Sequence, residues 1–209
     1  GGGEEGISIT YSRGVEEIIG ENGKFKKIKC PRCTSVFDKS GRFNPQFDRS
    51  DVIYLEGDVS SSLDAEMVGK EGVPVIQINT GGECHLDANM TYSALNNLPL
   101  QDIELLLIEN VGNLICTAQF ALGEHKKILI SSIPEGDDKP FKYPLMFHKA
   151  DAVLINKIDL LPYLRFDTEA FSQAIKGMNG KVKIFQISCA TGQGIQEWVS
   201  WLLTQMSKR

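Results

Sequence analysis

Chemistry-bearing residues fall in a few short strings: Gly57-Asp58, Glu83-Cys84-His85, Glu109-Asn110-Val111-Gly112-Asn113 followed by Cys116, Asn156-Lys157-Ile158-Asp159, and Ser188-Cys189-Ala190-Thr191-Gly192. In the fourth string, the Asp159 carboxylate can accept two hydrogen bonds from the N1–H and N2–H₂ edge of guanine. Adenine offers no such pair, so a wrong base leaves a polar group unpaired. The Lys157 stem can cover the base, Asn156 can brace neighbouring loops, and amides of Ser188, Cys189 and Ala190 would meet the base carbonyl. A plain strand-to-loop turn is the competing account, and position after an apolar strand favours guanine. Asp58 and Glu109 are carboxylates at strand ends, which suit Mg²⁺ directly or through water. Gly112 would let a backbone amide approach a γ-phosphate and sense its hydrolysis. Two surface acids and a turn glycine would read the same way. Cys84, His85 and Cys116 would make an S₂N set suited to Zn²⁺ or Ni²⁺, with a position left for water or a second subunit. On spacing alone, buried thiols and a helix-capping histidine account for these three better.

The elements that must position these strings alternate along the chain. Strands are expected at Val52–Glu56, Pro74–Asn79, Leu105–Glu109, Lys127–Ser132, Ala152–Ile155 and Lys183–Ser188. Helices are expected at Ser61–Lys70, Asp87–Asn96, Thr168–Met178 and from Ile195 onward, where Ile195, Trp198, Val199, Leu202 and Met206 share one face. Continuous apolar strands alternating with helices imply an α/β fold, a mostly parallel sheet with helices on both faces. Ligands bind such sheets beyond the carboxyl ends of the strands. Each string above follows a strand, so that edge is where a site belongs.

Residues 1–50 read as an atypical N-terminal segment, and 51–209 as one nucleotide-binding domain. Ile7–Thr10 suggests a strand and Val15–Ile19 a short helix, while Glu21–Ser50 is polar with Cys30-Pro31-Arg32-Cys33. One Cys-x-x-Cys is half of a zinc ribbon, and a flexible thiol-bearing loop is the other account of it.

Composition narrows the classes. The 209 residues are 42% hydrophobic and 23% charged, an ordinary globular balance that excludes a wholly disordered chain. With 22 basic and 27 acidic residues, net −5, the chain lacks the footprint of a nucleic-acid binder. Its apolar runs fall far short of the roughly 20 residues a membrane span needs. Gly1-Gly2-Gly3-Glu4-Glu5 lacks the order of a signal peptide. The expected setting is cytoplasmic, where five cysteines point to metal or reactive thiols rather than disulfides.

Taken together, Thr80-Gly81-Gly82-Glu83-Cys84-His85-Leu86-Asp87-Ala88, Leu107-Ile108-Glu109-Asn110-Val111-Gly112-Asn113-Leu114-Ile115-Cys116, Glu135-Gly136-Asp137-Asp138-Lys139-Pro140 and Asn156-Lys157-Ile158-Asp159-Leu160-Leu161-Pro162 resemble the HypB family. That family comprises GTPase nickel chaperones for nickel–iron hydrogenase maturation, related to the urease chaperone UreG. The likeness runs from about Asp51 to Trp201 in order and spacing. It implies a P-loop NTPase architecture of the SIMIBI type and GTP-dependent homodimerisation. It further implies a Ni²⁺ or Zn²⁺ site shared across the dimer, with Cys84, His85 and Cys116 as ligands. By the same resemblance Asp58 takes the magnesium-side role in the first switch, and Glu109 and Gly112 belong to the second. Asn156, Lys157 and Asp159 then read the guanine of GTP or GDP. Implied partners are a maturation protein such as HypA and the hydrogenase large subunit.

Two departures stand against the pattern. Gly82 occupies a position where the family usually has Lys. More seriously, no Gly-x-x-x-x-Gly-Lys-Ser/Thr string occurs; Gly20-Glu21-Asn22-Gly23-Lys24-Phe25 is the nearest approach. Such a loop cradles phosphates with backbone amides and a Lys. Without it, GTP hydrolysis is expected to be crippled. A second function therefore stands beside the first: a nucleotide-dead, metal-binding scaffold or dimerisation protein of the same lineage.

Overall fold

Short β-branched and leucine-rich runs, closed by glycine or polar turns, form the strands of one sheet. The computed structural model describes residues 6–10, 52–58, 63–70, 72–96, 98 and 103–207. In chain order its elements are β1 (Gly6–Thr10), β2 (Val52–Asp58), α1 (Leu63–Lys70), β3 (Val75–Asn79), α2 (Ala88–Leu95), β4 (Leu105–Glu109), α3 (Cys116–Gln119), β5 (Lys126–Ser132), α4 (Lys139–Lys142), α5 (Pro144–Lys149), β6 (Ala152–Asn156), α6 (Thr168–Met178), β7 (Lys183–Gln186) and α7 (Ile195–Ser207). The expected helix Val15–Ile19, the pair Cys30/Cys33 and most of the segment 1–50 lie outside the described residues.

The strands lie in the order β3-β2-β4-β1-β5-β6-β7. β2 runs parallel to β3 and β4, and β6 runs parallel to β5 and β7. β1 sits at the centre, antiparallel to both β4 and β5. Those two therefore point the same way, and the carboxyl ends of β2 to β7 share one edge of the sheet. The mostly parallel sheet expected from the sequence is present, with one reversed strand in its middle.

Alternation along the strands divides the core. Leu105, Ile128, Ala152, Leu154 and Phe185 face α7 and pack against Leu202 and Met206. Leu129, Val153 and Ile155 face the other way, onto Phe147 of α5 and Phe171 and Ile175 of α6. Leu106 and Ile108 join Ile53 and Leu55 of β2 beneath Leu86, in the loop before α2, and Leu95 of α2. On the α7 side, Trp198 and Trp201 each pack at 5.7 Å from the Phe185 ring. Burying both faces is why these strands read as unbroken apolar runs. Two of the described helices are capped by an aspartate side chain: Asp87 accepts from Met90 N at 2.7 Å, and Asp167 accepts from Ala170 N at 2.9 Å. Each such cap is worth about 1 kcal/mol.

The structure adds elements that hydropathy alone does not reveal. α4 and α5 each carry a proline, Pro140 and Pro144, in the first helical turn, where N–H groups have no intrahelical acceptor anyway. β7 ends at Gln186, short of the expected Ser188. There Ile187 N–H still bonds Ile155 O at 2.8 Å, and Ser188 N–H turns away to Gln193 O at 2.9 Å.

Candidate nucleotide face and metal centre

Along the shared edge, β2 and β4 bring carboxylates together first. Parallel register pairs Glu56 with Glu109, and Asp58 lies two residues beyond Glu56, on the same face of its strand. Glu56, Gly57, Asp58, Glu109, Asn110, Val111 and Gly112 line one cavity of about 80 Å³. Asp58, Glu109 and Gly112, assigned separately from the sequence, thus border a single space. Glu56 is 2% exposed and was not singled out in the sequence, although its period-2 relation to Asp58 is visible there. Such carboxylates suit Mg²⁺ in donor chemistry.

At the other half of the edge, β6 leads into Lys157, which takes a left-handed conformation at φ 63°. That turn brings Asn156 Oδ1 within reach of Lys157 N–H at 2.7 Å and Cys189 N–H at 3.3 Å. Ser188 Oγ donates to Asp159 Oδ1 at 2.5 Å and accepts from Thr191 N–H at 3.1 Å. Asn156, Asp159, Ser188 and Cys189 are therefore one bonded unit, with Cys189 and Ala190 exposed beside it. Gly194 closes the loop at φ 73°, so near Gln186 that a Cβ there would strike its carbonyl. Lys157 is half-buried next to this unit.

The thiol and imidazole residues lie on two loops. One follows β3: Thr80 N–H bonds Asp58 O at 3.1 Å, and Thr80 Oγ1 donates to Glu83 O at 2.7 Å. Gly81 and Gly82 take φ of 66° and 99°, conformations that glycine adopts without strain. The departure at Gly82 is thus matched by its backbone. The second loop follows β4 and delivers Cys116 at the start of α3. Cys84 Sγ stands 2.8 Å from Cys116 Sγ and 3.8 Å from His85 Nδ1. One donor atom from each of Cys84, His85 and Cys116 falls within 4.8 Å of the others. The His85 ring stacks on Phe120, centroids 4.0 Å apart and planes 14° from parallel. Two sulfurs and one imidazole nitrogen fit a borderline-soft divalent ion such as Ni²⁺ or Zn²⁺ and leave coordination open. The hydrogen bond between the two thiols, then burial, raises the Cys116 thiol above its ordinary range. An incoming metal must displace that proton.

Buried contacts tie this pair of loops to the carboxylate cavity. Leu86 is fully buried, and a Cβ on Gly57 would overlap its side chain. Leu86 N–H donates to Asn110 Oδ1 at 2.7 Å, an atom that also accepts from Val111 N–H at 2.9 Å. Asn113 accepts at Oδ1 from Ile115 N–H at 3.0 Å and Cys116 N–H at 2.8 Å, and donates from Nδ2 to Cys84 O. These two asparagines went unassigned in the sequence. The only trace of the second is its spacing of three residues before Cys116, which suits a side-chain acceptor at a helix start.

Among the described residues, β1 carries no comparable construction at this edge. In register, Ile7 at the start of β1 lies beside Glu109, and Thr10 lies beside Leu106, further from the edge. The reversed strand thus presents its beginning, not its end, to the edge where β2 and β4 end.

Residues 46–186 match the CobW/HypB/UreG nucleotide-binding domain. The hydrogenase maturation factor HypB of Escherichia coli (strain K12) is 48% identical over 151 residues, covering 72% of this chain and 52% of that protein. The chain spans about half the length of such curated relatives. The crystal structure of HypB from Helicobacter pylori in complex with nickel matches with a TM-score of 0.74 at 33% identity, covering 81% of this chain and 79% of that one. That of the hydrogenase maturation factor HypB from Archaeoglobus fulgidus matches with a TM-score of 0.70 at 40% identity, covering 76% and 77%.

Proposed function

Since the chain belongs to the CobW/HypB/UreG nucleotide-binding family, in its HypB branch and with its P-loop NTPase-like fold, we propose that it is a nickel metallochaperone serving hydrogenase maturation. It binds Ni²⁺, or Zn²⁺ as an alternative occupant, at Cys84, His85 and Cys116. It takes guanine nucleotide, GTP or GDP with Mg²⁺, at the neighbouring edge, and delivers nickel through nucleotide-linked homodimerisation. The convergence of two thiol sulfurs and an imidazole nitrogen within 4.8 Å carries this reading. The nickel-bound relative from Helicobacter pylori supports it.

Each residue has a distinct part. Asp159, oriented by Ser188, reads the guanine edge; Asn156 braces the Cys189 loop, and Lys157 covers the base. Asp58 and Glu109 hold Mg²⁺ and its waters beside the phosphates, and Gly112 lets the backbone approach them. The metal supplies no chemistry of its own here: it is cargo, held by thiolates and released to an acceptor. Ile115 and Phe120, both exposed beside the ligand set, support a dimer interface at this face. The proposed partners are a second copy of this chain, a HypA-like maturation protein and the hydrogenase large subunit, in the cytoplasm. Among the described residues no helix is long and apolar enough to cross a membrane.

A second reading, a metal-binding scaffold whose nucleotide site is dead, is favoured by the reversed β1 and the missing phosphate-loop string. Titration of the full chain with Ni²⁺ tests what both readings share. One Ni²⁺ per subunit, or one per pair, should bind, and Cys84→Ala/Cys116→Ala should abolish it. Retention of full affinity in that variant with loss in Cys30→Ala/Cys33→Ala would move the site to the N-terminal segment. Fluorescent guanine nucleotide in Mg²⁺, with adenine nucleotide as control, then separates switch from scaffold.

A further inference from the structure

Cys84 and Cys116 come from different loops, and no strand or helix joins those loops directly. Beside the Leu86–Asn110 hydrogen bond and the His85–Phe120 stack, one carboxamide ties the backbones of both thiol residues. Asn113 Nδ2 donates to the carbonyl of Cys84, while Asn113 Oδ1 accepts the backbone N–H of Cys116 and of Ile115. A single planar group thus bonds the backbone of both thiol residues, whose Sγ atoms stand 2.8 Å apart. Its own backbone is pinned as well: Asn113 N–H donates to Val111 O at 2.7 Å, and Thr117 Oγ1 donates to Asn113 O.

The position of Asn113 in the chain gives the amide a second role. It directly follows Gly112, the last residue lining the carboxylate cavity. Any ligand that shifts the backbone at Val111–Gly112 shifts the root of Asn113, and the amide passes the shift to both ligand backbones at once. Contiguous hydrogen-bond networks of this kind are one route by which energetic coupling travels between two sites.

We infer that Asn113 is a positioning residue. It holds Cys84 and Cys116 in ligating register and carries movement of the nucleotide-side loop to the metal. This rests on the metal reading above and assigns the regulation of that same site to one side chain. Groups that orient metal ligands without touching the metal commonly change affinity by about 10- to 100-fold when removed. Asn113 orients ligand backbones, so the lower end of that range applies.

The experiment compares the full chain with Asn113→Ala and Asn113→Asp by Ni²⁺ titration, following thiolate-to-nickel charge-transfer absorption, with and without GDP and Mg²⁺. Asn113→Ala should weaken Ni²⁺ binding by about tenfold, alter the charge-transfer band and remove any effect of nucleotide on nickel affinity. Asn113→Asp keeps the acceptor for Cys116 N–H but loses the donor to Cys84 O, so it should fall between the two. Thermal melts of the metal-free proteins separate positioning from unfolding, because the melting temperature should move little. Wild-type nickel affinity and an unchanged band in Asn113→Ala would overturn the positioning role. A nucleotide effect that persists in Asn113→Ala, or is absent from the unmutated chain, would overturn the transmitting role. Undiminished nickel binding by Cys84→Ala/Cys116→Ala is a different failure, that of the metal reading itself.

Discussion

At the scale of single residues, Asp159 and Cys116 carry the sharpest expectations. Asp159 is held by Ser188 Oγ, so its carboxylate is presented without a search through rotamers. Replacing it by Ala removes two charge-assisted acceptors, and guanine affinity should fall by about 2–4 kcal/mol while adenine affinity stays where it was. Competition of the two nucleotides for the unmutated chain checks the premise: equal binding would sink it. Cys116 should set the pH dependence of the proposed metal site. Its thiol is raised chiefly by the hydrogen bond with Cys84, so it stays protonated over a wider range than an isolated cysteine. Metal binding releases that proton, hence Ni²⁺ affinity should rise with pH and fall on acidification, by up to about tenfold per unit for each proton displaced. Titrations across neutral pH with a non-coordinating buffer measure it; a flat profile would mean that thiolates do not bind the ion.

Among elements, the loop from Ile187 to Gly194 shows how tightly local backbone governs the proposed base site. β7 stops at Gln186 because Ser188 N–H turns to Gln193 O and Gly192 N–H returns to Ser188 O at 2.8 Å. Gly194 passes against the Gln186 carbonyl at φ 73°, where a methyl group has no room and the backbone is one that residues with a Cβ rarely adopt. Gly194→Ala should therefore cost about 1–3 kcal/mol in urea denaturation and weaken guanine binding along with it. A variant as stable as the parent, with unchanged nucleotide affinity, would show that the loop relaxes freely. The prolines at the starts of α4 and α5 act in the opposite sense. Both sit in a first helical turn, where a helix has no N–H to lose.

For the whole molecule, topology decides what chemistry is accessible. Six parallel strands place Asp58, Glu109, Asn156 and the Ser188 loop along one edge, but the central strand β1 runs against them. Phosphate transfer depends on positioned amides, a lysine and a metal-binding hydroxyl. The chain contains no Gly-x-x-x-x-Gly-Lys-Ser/Thr string to supply them. Turnover of GTP by this chain should be negligible, with phosphate release at the rate of protein-free controls. Steady release that disappears in Asp58→Ala or Glu109→Ala would mean that another segment stands in for the missing loop.

The sequence by itself determined the alternating strands and helices, because burying both sheet faces leaves a mark in every strand: Leu105 to Ile108 and Ala152 to Ile155 are unbroken apolar runs. It also determined which strings end those strands, since a polar string after a buried strand must emerge at the sheet edge. Tertiary structure alone decided what those strings do together. Cys84 and Cys116 lie 32 residues apart, and their meeting at 2.8 Å depends on how β3 and β4 flank β2. The direction of β1 was equally hidden, for Ile7–Thr10 pairs through backbone groups that every residue carries. Asn113 is the clearest case. An asparagine in a loop has no hydrophobic period to betray it, and its role arises only when folding brings the Cys84 carbonyl to its amide.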